Sequence, residues 1–140
     1  MRIAAWLVSV CMSFVVGSAQ AEPTQSTRNV DIEKVIEQQI EAFKVDDFKT
    51  AFEYATPGIQ KRFGSPERFA FTVIHRYPMV WRPSAVQYIS VEHYRDHALQ
   101  TVMITDYNKT LHILVYEMVS VDKSWRIGGV QIVRQPKSDT

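Results

Sequence analysis

The sequence predicts an α+β fold: three N-terminal helices packed on a curved antiparallel sheet of four to five strands. Two observations carry this. Apolar residues recur with a period near 3.6 as far as Tyr77, and with a period of 2 after Pro83. The later segments are joined by links of two to four residues, which antiparallel neighbours allow and parallel ones do not. A chain of 140 residues suits one domain with one core.

The first helix is read from Ile32, Ile36, Ile40 and Phe43, which share one face, with Asp31 as N-cap or first-turn acid. Phe48, Ala51, Phe52 and Ala55 give a second, shorter helix that "TPG" at 56–58 stops. Ile59 and Phe63 suit a single helical turn before Gly64. "SPER" opens the third helix: Ser65 caps, Pro66 takes the first helical position and Glu67 meets the dipole. Phe69, Ala70, Val73, Ile74 and Tyr77 form its apolar face, and Pro78 ends it. "MVWRP" at 79–83 reads as a short edge strand. Four strands come next, at about 85–94, 98–106, 110–121 and 124–134, separated by "RDH", "DYNK" and "DK".

Residues 1–21 read differently. Arg2 is a minimal positive region, "IAAWLVSVCMSFVVG" an apolar core, and Ala19 and Ala21 are small residues placed for cleavage between Ala21 and Glu22. The apolar run is about 15 residues, short of the roughly 20 that span a bilayer. It is therefore read as a cleavable signal peptide rather than an anchor, and the protein as exported, to a bacterial periplasm or beyond. Val10 before Cys11 argues against a lipid attachment site. Residues 22–29 read as a flexible leader, 30–134 as the domain and 135–140 as a tail.

Cys11 is the only cysteine and leaves with the signal, which removes disulfides, thiol nucleophiles and cysteine metal sites from the mature chain. Loss of Arg2 leaves 15 basic residues against 15 acidic ones. With no basic block, nucleic acid is not an expected partner, and with no polybasic amphipathic helix neither is a membrane surface. Of His75, His93, His97 and His112, His93 and His97 are four apart but straddle a predicted hairpin rather than share a helix face, so no metal and no cofactor is expected.

"AFKVDDFKTAFEYATPGIQKRFGSPERF", "YPMVWRP" and "WRIGGV" together resemble a bacterial family known as domain of unknown function 4864. The element order and "KSWRIGGVQI" resemble the NTF2-like superfamily, also called SnoaL-like or cone-fold. That resemblance implies a pocket between helices and concave sheet, in a fold that hosts both enzymes and binding or dimerisation modules. By strand phase and helix face, Tyr54, Tyr77, Tyr88, His112, Tyr116 and Trp125 are candidates to line it. Asp46 and Asp47 are neighbours and point apart on a helix, so they are read, with Ser65, as structural caps and not as a carboxylate pair. Isomerase chemistry needs an acid converging with a donor. Glu117 lies on the strand face opposite Tyr116, and Asp106 is placed to open a turn. Trp81–Arg82 and Trp125–Arg126 are read as core tryptophans beside arginines that face solvent or pair across strands.

The third strand is apolar on both faces: Leu111, Ile113, Val115 and Val119 on one, Leu114 and Met118 on the other, with His112 and Tyr116. Helices cover one face, and a second copy of the chain is expected on the other. The functional expectation is a non-enzymatic module that binds a small apolar or amphipathic ligand or engages a protein. The alternative is a cofactor-free enzyme acting on a small hydrophobic substrate.

Overall fold

The computed structural model describes residues 28–133. The segment read as a signal peptide, its expected Ala21–Glu22 cleavage point, most of the expected leader and the expected tail lie outside the described residues.

Helix α1, Val30–Lys44, starts where Asn29 Oδ1 accepts from Ile32 N at 3.1 Å, so Asn29 is the cap and Asp31 sits in the first turn. The helix ends in a Schellman arrangement. Asp46 N donates to Phe43 O and Asp47 N to Ala42 O, with Asp46 left-handed at φ 57°. Asp47 then caps α2, Phe48–Glu53, by accepting from Thr50 N at 3.2 Å. Hydrogen bonding by Thr50, its side chain first and its backbone N–H second, holds the Asp47 carboxyl below the usual aspartate value. The two aspartates thus do different jobs: Asp46 closes α1, and only Asp47 caps α2.

The helix count departs from expectation. Among the described residues five helices precede the sheet: α3 at Pro57–Phe63, α4 at Pro66–Arg76 and α5 at Pro78–Trp81 come after the first two. Thr56 caps α3 by accepting from Ile59 N, and Gly64 ends it at φ 78°. Ser65 caps α4 by accepting from Arg68 N at 3.3 Å. "MVWRP" is not an edge strand, because it supplies most of α5. In both revised segments a proline begins a helix: its missing N–H is an unbonded position there, and its fixed φ is already helical. The reading of Trp81–Arg82 also changes. Arg82 is not free in solvent: its Nη2 donates to both oxygens of Asp46, at 3.0 and 3.1 Å, and its Nη1 donates to Phe43 O and Lys44 O. Trp81 Nε1 adds a bond to Asp46 Oδ1 at 3.0 Å. A cation therefore sits on the carbonyl end of α1, where the helix dipole favours it.

The sheet is a meander of β1 (Ala85–His93), β2 (His97–Thr105), β3 (Leu111–Val121) and β4 (Ser124–Val133), paired antiparallel in that order. Asp122 and Lys123 both take positive φ in the β3–β4 link, the backbone that suits a two-residue hairpin. One extra residue, Gly128, interrupts β4: Glu117 pairs with Gly129 and Met118 with Ile127. A Cβ on Gly128 would lie 3.0 Å from Val119 Cγ2, so a larger residue there needs the Val119 side chain to give way. Ile127 N donates to Tyr54 O and Thr56 N to Ile127 O, which ties the α2–α3 link to the edge of β4.

The core lies between the helices and one sheet face. Ile32, Ile36, Ile40 and Phe43 pack over Val91, Val102, Ile104, Leu114 and Met118. Phe69 gathers the aromatic side chains, with ring centroids 5.9 Å from Phe43, 5.2 Å from Phe52 and 5.6 Å from Phe63. On the other sheet face Leu99, Met103, Ile113, Val115 and Val119 stay half-buried, and Leu111 is 58% exposed. Among the described residues no helix is long and apolar enough to cross a membrane.

Candidate functional site

The α4 helix crosses toward the end of β4 without closing on it. This leaves a cleft of about 260 Å³ between α1, α3, α4, α5 and the Ile127–Val130 stretch. Phe43, Phe63, Phe69, Val73, Val80 and Val130 make its walls apolar. Gly128 and Gly129 bring bare backbone to one side. The polar lining comes from Gln39, Arg62, Thr72, Arg76 and Tyr77. Gln39 is buried, and its Nε2 donates to Ala51 O at 3.1 Å. Tyr77 donates from its hydroxyl to Val130 O at 3.3 Å, tying the end of α4 to the edge strand beside the cleft. Arg62 and Arg76 are exposed and stand at the mouth.

Of the six side chains expected to line a pocket, Tyr77 lines this cleft. Tyr88 lines a second one of about 280 Å³ between α1 and β1, with Glu37, Glu41, Lys44 and Ser84. Its hydroxyl donates to Glu33 O at 3.1 Å, and burial, then Glu37 and Glu33, push its phenol well up. Tyr54, His112, Tyr116 and Trp125 line neither cleft. Tyr54 and Trp125 are half-buried against the core edge, and Trp125 lies 6.2 Å from the His93 ring. Tyr116 points to the helix-facing side, as its phase predicts, but it is sealed there: it is fully buried and its hydroxyl meets no partner. Burial raises its phenol far above the ordinary value.

His112 finds a partner at the β2–β3 turn. Its Nε2 lies 2.8 Å from Asp106 Oδ2, and Asp106 Oδ1 accepts from Thr110 N at 2.9 Å. The His112 bond is the main cause lowering the Asp106 carboxyl. Asp106 therefore does close its turn, and it orients a histidine as well. Ser84 is close by, but its hydroxyl donates to the carbonyl oxygens of Thr105 and Asp106, so it is engaged with backbone. Among the described residues no three His, Cys, Asp or Glu side chains converge to hold a metal ion.

Sequence reasoning passed over Gln39, Arg62 and Arg76. They come from three helices and share no local spacing. The one legible signal was the pair of arginines in the last turns of two consecutive helices. A search of curated proteins and a search of solved structures each returned no match. The model of the family described as "Domain of unknown function (DUF4864)" matches residues 25–140, which include every cleft residue named above. The chain belongs to that family.

Proposed function

We propose that the protein is an exported, NTF2-like module that works by binding rather than by turnover. It takes a small amphipathic ligand in the cleft and pairs with a second copy through the open face of the sheet. The carrying observation is the cleft itself: aromatic and aliphatic walls with a few polar groups among them are the usual make-up of a small-molecule site. At about 260 Å³ it lies just under the roughly 300–1,000 Å³ of drug-sized sites, so the ligand is metabolite-sized. Export is supported by the signal-like residues 1–21. Self-association is supported by the row of Leu99, Met103, Ile113, Val115 and Val119, an apolar patch of the kind that marks an interface.

A cofactor-free enzyme is the second reading, and the Asp106–His112 pair favours it, since a carboxylate-oriented histidine is a common general base. The pair lies at the β2–β3 turn and not in the cleft lining, which favours binding.

Native mass spectrometry of the protein purified from periplasm tests the proposal. The expected species is a dimer lacking residues 1–21, with a small molecule bound that Thr72→Trp displaces by filling the cleft. A micromolar monomer refutes the pairing, retention of residues 1–21 refutes cleavage, and a ligand kept by Thr72→Trp puts binding elsewhere.

A further inference from the structure

We propose that the cleft selects an amphipathic oxyanion, with its apolar body on the aromatic wall and its charged head at the mouth between Arg62 and Arg76. This rests on the ligand-binding reading above and names the class of ligand. Both guanidiniums line the cleft, both are exposed, and neither makes a hydrogen bond or ion pair among the described residues. Arg82 holds Asp46, Arg126 donates to Glu53 O and Arg28 pairs with Glu33. Arg68 and Arg95 also lack a side-chain bond among the described residues, but neither lines a cleft. The residues lining the cleft include no carboxylate to neutralise the two cations. Two guanidinium forks at the end of an apolar slot present the planar donor geometry that carboxylate, sulfate and phosphate groups match.

A plainer cause exists for each arginine alone. Both lie in the last turn of a helix, where a cation complements the dipole. That accounts for a basic residue in each turn, but not for both turns ending at one mouth. Low-dielectric walls strengthen the field such a mouth presents to an entering anion. Gln39 adds a second polar feature deeper in. With Nε2 given to Ala51 O, its Oε1 has no protein donor among the described residues, so the buried wall keeps one acceptor for a ligand or water.

Calorimetric titration of the folded protein with octanoate, octyl sulfate and octanol tests this. Both anions, or one of them, should bind at least about tenfold tighter than octanol, as a charge-assisted bond is stronger than a neutral one. Whichever head group prevails identifies the source chemistry. The double variant Arg62→Gln, Arg76→Gln should lose that preference, bringing the anions down to the affinity of octanol, and Thr72→Trp should abolish binding of all three. Equal binding of octanol and the anions overturns the oxyanion inference while leaving a ligand cleft standing. So does a preference that survives the double variant, and anion binding that survives Thr72→Trp puts the anion site elsewhere. No binding of any probe overturns this inference and the ligand-binding reading together.

Discussion

Replacing Tyr116 by Phe should stabilise the protein. The side chain is fully buried, and its hydroxyl meets no donor or acceptor. Its cross-strand neighbour on β2 is Gln100, whose Nε2 serves Ser90 O and Thr101 O while its Oε1 is likewise buried and unpartnered. Two polar atoms are thus held out of water without bonding one another. Leaving such a group unmade costs about 1–3 kcal/mol. Phe keeps the ring and its packing and removes the hydroxyl, so most of that cost should be recovered. Unfolding entropy of about 2.1 cal/mol/K per residue over a domain of roughly 110 residues converts it to a Tm rise of about 4–13 °C. The urea slope should not change, because the same surface is exposed on unfolding. The gain should widen above pH 10. Folded Tyr116 keeps its proton because its phenol is raised above the ordinary 10.0, whereas the unfolded phenol ionises there, so the parent loses stability that the Phe variant does not. Thermal and urea melts across pH 7–11 measure all of this. A Tm lowered by more than about 2 °C would refute the reasoning, since it would mean that the hydroxyl is satisfied in the folded protein, for instance by a water shared with Gln100.

Gly128→Ala should destabilise by about 1–3 kcal/mol, because the new methyl meets Val119 Cγ2 at 3.0 Å and a β-branched side chain yields little. Adding Val119→Ala should recover part of the loss, a coupling that denaturant melts of the four species would reveal and strict additivity would refute. Asp106→Asn should make the fold less sensitive to acid. The lowered carboxyl of Asp106 contributes stability above the unfolded value near 3.8 and loses it as pH falls through the folded value, so the parent's stability should drop more steeply below pH 4 than the variant's. Equal acid slopes would show that His112 and Thr110 do not favour the carboxylate.

The contrast between Tyr77 and Tyr116 shows what the sequence could and could not disclose. Phase places Tyr77 on the apolar face of its helix and Tyr116 on the helix-facing side of its strand, and the structure agrees. Phase says nothing of depth, which depends on what stops above the residue. Tyr116 lies mid-strand beneath the helices, whereas Tyr77 ends α4, where cover runs out and a cleft begins. Helix starts were legible where a cap and a proline occur together, as in Ser65–Pro66. The same grammar went unread at Thr56–Pro57, and Pro78 opens α5 without a side-chain cap; a proline also ends helices, and the residues beyond it decide which it does. The cleft was the least legible feature. Gln39, Arg62, Arg76 and Gly128 are far apart along the chain and meet only through packing. Yet each has a local cause: a helix last turn for the arginines, a bulge for the glycine, an inward helical face for the glutamine. The bulge at Gly128 and the corner between α4 and α5 at Tyr77 both border the cleft. The cleft collects the cations of two helix ends. The helix ends explain a cation in each last turn, and the meeting of both at one apolar cleft is what the proposed binding role accounts for.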